Sequence, residues 1–435
     1  MSHAHSPLSL CGPEHITRRT LFRATAGLGA AAWFSPVARL LAAEEEAAPR
    51  GEPAKSVILL WMQGAPSQLE TFDPHAGKLI GGETKSIPTS VSGVEFGSAM
   101  EQTAELMDSL ALIRNVVSRE GDHERATYHV KTGYRPDPTL THPSVGAILC
   151  HELDEEGVDI PRHISIYPGQ WPGRGGYLGA RFDAFRTNDP RNPIPDLKSP
   201  VAPERFDERL ADLDVVERAF ARGRLRNLDA EKTLHRATVD KAIRMMSSEQ
   251  LAAFDISQEP ENVRAAFGED PFGRGALAAV RLVSAGVRCV EVSLFGWDTH
   301  VNNHEQQHQR AGVLDPALAS VIRELKARDL FDSTLVICCG EFGRTPSINP
   351  AGGRDHWPHG FSVLLGGGGI RGGTVIGETD PEGGRVPFEE GTQVANVHAT
   401  VLRAVGIDHR KEVMTPIGRP MHLTEGKVIP ELLKG

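Results

Sequence analysis

The side chains best suited to acid–base or metal chemistry gather in two stretches of the C-terminal third. These are Gly340-Glu341-Phe342-Gly343-Arg344-Thr345-Pro346 and Gly352-Gly353-Arg354-Asp355-His356-Trp357-Pro358. A Gly-flanked carboxylate directly after the apolar run Ser333 to Cys339 is expected at the carboxyl end of a buried strand, the edge where open α/β sheets bind ligands. The Arg, Asp and His that follow can converge on one ligand, although the same residue types populate ordinary loops. A second set, Asp298 and His300, follows another strand pattern and supplies the oxygen and nitrogen donors that zinc, manganese or iron accepts. His304 and His308 share one helical face, for which a solvated helix over Asn302 to Gln309 is the plainer reading. A third set opens at Gly121. His123 and Arg125 stand at the start of a helical pattern, where side chains and the positive helix terminus can bind an anion; an exposed helix with ordinary charges is the alternative.

These sets need a frame, and the apolar runs supply one. Continuous β-branched or aliphatic segments at Ser56 to Met62, Ala111 to Val117, His163 to Tyr167, Arg288 to Leu294, Ser333 to Cys339 and Phe361 to Leu365 read as buried strands. Helical spacing lies between several of them, over Pro143 to Leu153, Gly273 to Ala285, Ala317 to Ala327 and Val394 to Val405. Alternation over this length predicts a doubly wound α/β fold with a mainly parallel sheet. Residues 171–203, rich in Pro, Gly, Asn and Asp, read as a surface excursion, and the charged stretch 204–267 as helical. Together they form an expected cap insertion over about 171–267, within one domain spanning 56–435.

At 435 residues, 40% hydrophobic and 24% charged, the chain can bury a large core, which excludes disorder as its dominant state. A net charge of -10 without any basic block argues against nucleic acid as a partner class. Thr17-Arg18-Arg19-Thr20-Leu21-Phe22 before an Ala/Gly-rich stretch to Ala43 resembles a twin-arginine export signal over residues 1–43, with a solvated linker at 44–55. That predicts engagement of the twin-arginine export machinery, a periplasmic or secreted protein, and no stable membrane span once the signal is removed. Cys150, Cys289, Cys338 and Cys339 read as small core residues, with one disulfide open to them in an oxidising compartment. The glycines of 366–369 and 372–373 lack the Lys-Ser/Thr of a phosphate loop and are read as tight turns. No G-x-S-x-G elbow is present.

In order along the chain, Leu60-Trp61-Met62-Gln63-Gly64-Ala65-Pro66-Ser67, Thr71-Phe72-Asp73-Pro74, Thr132-Gly133-Tyr134, Trp297-Asp298-Thr299-His300, Gly340 to Pro346 and Gly353 to Trp357 resemble the exported DUF1501 family of the alkaline phosphatase and sulfatase-like superfamily. The resemblance implies a one- or two-metal site at the carboxyl ends of the strands and a Ser, Thr or modified Cys nucleophile at a helix start. His123 stands where the nucleophile would fall, Gln63 where the first strand usually ends in a metal-binding Asp, and Glu341-Phe342 where an Asp-His pair is usual. The expected activity is therefore hydrolysis of sulfate or phosphate esters without the usual Ser/Cys nucleophile. Asp298, His300, Glu341, Asp355 and His356 would hold a divalent metal (zinc, calcium or manganese). Metal-activated water would attack, His123 would serve as acid or base, and Arg125 and Arg344 would neutralise the anion. Gln63, Ser67 and Arg354 would contact the substrate, a small anionic molecule or polymer. The alternative is a non-catalytic module that binds sulfated or phosphorylated polymers at the cell envelope.

Overall fold

The run Ser56–Gln63 is buried along nearly its whole length, so both of its faces must be covered, and it lies at the centre of a nine-stranded sheet. A computed structural model describes residues 52–153, 157–222 and 234–434. The expected export signal and most of the linker lie outside these. The sheet strands are β1 (Ser56–Gln63), β2 (Leu110–Val117), β3 (His163–Ile166), β4 (Phe185–Thr187), β5 (Cys289–Phe295), β6 (Thr334–Cys339), β7 (Phe361–Gly367), β8 (Thr374–Ile376) and β9 (Thr392–Gln393). Their order is β8-β2-β7-β6-β1-β5-β3-β4, with β9 also paired to β2. All pairings are parallel except those of β7, which runs against both β6 and β2.

The longer helices are α1 (His123–Thr132), α2 (Val145–Glu152), α3 (Pro203–Arg222), α4 (Leu234–Ser247), α5 (Pro271–Ser284), α6 (Asn303–Ala327) and α7 (Val394–Ala404). Strand alternation divides the core into two layers. Ile58, Leu60 and Met62 join a cluster with apolar residues of α5 and α6. Val57, Leu59 and Trp61 join one with α2 and α7. The fold is thus α/β with helices on both faces of a mainly parallel sheet. Adjacent Cys338 and Cys339 enter opposite layers, and the four described cysteines are all buried; the disulfide left open to them is not formed.

The expected cap insertion over 171–267 also contributes to the sheet and core. It supplies edge strand β4, and Met245, Phe254, Ile256 and Phe267 are buried in the same cluster as α5 and α6. The apolar helix expected over 317–327 begins earlier, at Asn303, and absorbs the polar segment containing His304 and His308. Among the described residues, no helix is long and apolar enough to cross a membrane.

Candidate metal centre

The parallel strands deliver their carboxyl ends to one edge, and the singular direction of β7 brings its first residue there too: Phe361 pairs with Val116, near the end of β2. Gln63 ends β1, Asp298 and His300 follow β5, Glu341 follows β6, and His356 precedes β7. His123 arrives by a different route. The Asp122 side chain accepts from the Arg125 backbone N–H at 3.1 Å and caps α1, so His123 becomes its first residue. Gly133 at φ 77° closes the same helix.

Two close backbone approaches bring the loops together. A Cβ at Gly64, whose φ is 109°, would lie 2.7 Å from the Asp298 nitrogen. A Cβ at Gly353 would lie 1.9 Å from the His300 carbonyl carbon and oxygen. The Arg354 N–H then donates to Thr299 O at 3.1 Å, and His356-Trp357 pairs antiparallel with Gly343-Arg344.

At the centre, His123 Nε2 lies 3.4 Å from Asp298 Oδ2, and His356 Nε2 lies 3.4 Å from Asp298 Oδ1. His300 Nε2 is 3.0 Å from that same oxygen and 3.2 Å from His356 Nε2. Each imidazole is tied down through its other nitrogen. His123 Nδ1 donates to Glu341 Oε1 at 2.7 Å, His356 Nδ1 to the Gly121 carbonyl at 2.8 Å, and His300 Nδ1 to Asp355 Oδ1 at 2.9 Å. These acceptors only accept, so each Nδ1 carries a proton and the three Nε2 atoms are the ones turned toward Asp298. His123 Nε2 is buried without a hydrogen-bond partner. His123, Asp298 and His356 offer ligand atoms within 4.8 Å of one another. A cation fits this set, because lone pairs facing lone pairs repel unless a proton or metal lies between them, and an acceptor-anchored imidazole is the usual outer arrangement around a bound metal.

The electrostatics agree. Burial works against the Asp298 charge, but the His123 and His356 imidazoles and the Arg344 guanidinium that face its oxygens outweigh it and hold the carboxyl well below the usual range. Burial likewise disfavours protonated His123, and the Asp298 and Glu341 carboxylates reverse this, raising it to about 9 in the absence of a metal.

The expected site residues divide into three groups. His123, Asp298, His300 and His356 converge. Glu341 and Asp355 stand one bond behind, each orienting a histidine; Glu341 Oε1 also accepts from the Gly64 N–H at 2.9 Å and from Gln63 Nε2 at 3.3 Å. Gln63 cannot offer its oxygen outward, since it accepts from the Trp61 indole at 2.8 Å. Arg344 touches the centre through Nη2 at 2.6 Å from Asp298 Oδ1; its other donors reach the Gly64, Ala65 and Arg354 carbonyls, and it is wholly buried.

The remaining three lie apart. Arg125 binds Glu120, with bonds of 2.7 and 3.1 Å. Arg354 is buried on Glu70 and the carbonyls of Ile80, Thr345 and Pro346. Ser67 is buried against α6, its N–H donating to Gln307 Oε1 at 2.9 Å. His304 pairs with Glu70 at 2.9 Å, and His308 is exposed. Sequence reasoning overlooked Phe342 as a site residue: its buried ring packs 5.1 Å from His123 and 4.7 Å from His356, centroid to centroid. An aromatic directly after a strand-end carboxylate was the available signal.

Among solved structures, the chain is similar to alkaline phosphatase from the Antarctic bacterium TAB5, at 13% identity and a TM-score of 0.38, over 81% of this chain and 98% of that one. It is also similar to the lipoteichoic acid synthase LtaP from Listeria monocytogenes, at 9% identity and a TM-score of 0.36, over 82% and 72%. The C-terminal periplasmic domain of EcEptC from Escherichia coli, in complex with Zn, matches at 11% identity and a TM-score of 0.34, over 73% and 74%. No curated protein matches. Residues 54–433 match the model described as "Protein of unknown function (DUF1501)", and with nearly all of its described residues inside that match the chain belongs to this family.

Proposed function

We propose that this chain is a divalent-metal-dependent hydrolase of sulfate or phosphate esters. The observation that carries this reading is the convergence of acceptor-anchored imidazole Nε2 atoms on Asp298 at the ligand-binding edge of the sheet. His123 Nε2, a carboxylate oxygen of Asp298 and His356 Nε2 would hold the ion. When bound, it supplies Lewis acidity toward an ester oxygen and lowers the pKa of a water.

The chain's own groups divide the rest of the task. Glu341 and the Gly121 carbonyl fix the His123 and His356 rings. Arg344 keeps Asp298 ionised, while Phe342 walls off the inner side from water. His300 is the most open of the three histidines, its side chain 44% exposed. Its Nε2 borders the centre while Asp355 holds its Nδ1, and Asn349 Nδ2 braces Asp355 Oδ1 at 3.2 Å. This suits it to carry a proton between water or leaving group and solvent. His123 takes the start of α1, so no Ser or Cys at that position attacks the ester. With the reading of residues 1–43 as a twin-arginine signal, the reaction belongs outside the cytoplasm.

The test is turnover of aryl phosphate and aryl sulfate esters by metal-loaded protein, by chelated protein, and by Asp298→Asn and His356→Ala. Loss of at least a hundredfold in the last three supports the proposal. Turnover that survives chelation refutes it. Metal binding without turnover transfers support to the non-catalytic binding of anionic polymers.

A further inference from the structure

The arrangement points to one metal ion per chain, of the zinc class, with the Arg344 guanidinium standing where a second cation would otherwise sit. This rests on the hydrolase reading for its purpose, but its geometry is independent of turnover.

Two-metal hydrolases hold their ions about 3.5–4 Å apart and need ligands for both. Here the ligands for a second ion are spent. Asp298 could bridge two cations, but its Oδ1 takes Arg344 Nη2 at 2.6 Å, leaving Oδ2 toward His123 Nε2 at 3.4 Å. The Gly64 carbonyl also accepts from Arg344, and the Gln63 oxygen is held by Trp61. Glu341 Oε1 already accepts three donors. Apart from His300 Nε2, which borders the first ion's open position beside His356, what remains nearby is Glu341 Oε2, buried and without a hydrogen-bond partner. A single oxygen does not make a second site.

The guanidinium is built in. Its Nε and Nη1 donate to the Ala65 and Arg354 carbonyls at 2.9 and 3.2 Å, and no part of the side chain is exposed. Asp298 therefore bridges a fixed organic cation and an exchangeable inorganic one.

The donor set selects the metal. Two imidazole nitrogens and one carboxylate oxygen, with a third imidazole bordering the open position, are poor for magnesium and calcium, which require oxygen shells. They match a three-ligand catalytic zinc site that keeps one position open. Bonds of about 2.0 Å at tetrahedral angles put ligand atoms about 3.3 Å apart. His123 Nε2 lies 3.4 Å from Asp298 Oδ2 and His356 Nε2 3.4 Å from Oδ1, and one ligand atom from each of the three residues lies within 4.8 Å of the others, so a small inward shift of the side chains closes the set on one ion.

The experiment is metal titration of the purified full chain by native mass spectrometry, with cobalt(II) replacement read by visible absorption. One zinc per chain is expected, together with the intense visible bands of low-coordinate cobalt. His356→Ala should weaken zinc at least tenfold while retaining the wild-type far-UV circular dichroism. Two zinc ions per chain, or a preference for magnesium or calcium over zinc, would overturn the inference and leave hydrolysis standing. One tightly held zinc without ester turnover would sink the hydrolase reading alone. Failure of the wild-type chain to take up zinc overturns the inference directly, and turnover in chelator then decides the hydrolase reading separately.

Discussion

Glu341 separates two contributions that are usually lost together, a hydrogen-bond position and a charge. Its Oε1 accepts from His123 Nδ1, the Gly64 N–H and Gln63 Nε2 at 2.7, 2.9 and 3.3 Å, and the side chain is wholly buried. Glu341→Gln keeps an oxygen at that position but removes the charge that makes the His123 ring a stronger donor to a metal. Outer-shell losses of this kind cost about 10–100-fold in metal affinity. With geometry preserved, the glutamine variant belongs at the low end, about tenfold or about 1.4 kcal/mol. Glu341→Ala also abandons a buried backbone N–H and frees the His123 ring, so the cost should approach a hundredfold, about 2.7 kcal/mol. The assay is competition for zinc against a chromophoric chelator at constant pH. Equal affinities for wild type and both variants would show that His123 does not ligate the ion. Equal losses in Gln and Ala would show that charge alone matters and that the anchoring geometry is irrelevant.

Other expectations follow from the frame. Lys131 and Glu291 form a buried ion pair at 2.7 Å, with side chains only 5% and 3% exposed. Lys131→Met should cost about 3–5 kcal/mol by stranding the carboxylate. With an unfolding entropy of about 2.1 cal/mol/K per residue over the family-matched span, calorimetry should show a Tm lower by about 4–6 °C, and adding Glu291→Gln should recover part of it. Burial, with a smaller contribution from His398, depresses the His129 pKa from 6.5 to about 4. Below pH 6.5 the unfolded chain takes a proton that the folded one refuses, so this share of stability is intact above pH 6.5 and falls until about pH 4. Urea unfolding should lose about 2 kcal/mol between pH 7 and pH 5 through this group, and His129→Gln should flatten that slope. Gly353→Ala forces a Cβ into the His300 carbonyl, since a Cβ there would lie 1.9 Å from it. It should displace His300 and Asp355, lower turnover in the ester assay at least tenfold, and leave zinc stoichiometry at one.

The sheet was readable because buried strands on both faces must be continuously apolar, and β1, β6 and β7 are. The direction of β7 was not, because an apolar run has no polarity of its own, yet that direction is what carries His356 to the site. Arg344 and Arg354 look like anion ligands in a sequence, since arginine is rarely buried. Only the fold reveals that one is spent on carbonyls and Asp298 and the other on Glu70. The partnership of His123 with Glu341 joins positions 218 residues apart, and no local spacing encodes it. Gly64 and Gly353 were visible as glycines, but the backbones they admit belong to distant loops.

The gathering of the centre from four strand ends and a helix start has a consequence for the order of events. In zinc fingers the ion organises a chain that is otherwise unfolded. Here His123, Asp298 and His356 meet only when β1, β2, β5, β6 and β7 already lie side by side, so the empty protein should be fully folded and the ion a late arrival. Loading then works as a clasp on a finished object: at a free concentration a thousandfold above Kd it adds about 4 kcal/mol, ties the segments before β7 to those after β5, and leaves the sheet itself indifferent to chelation.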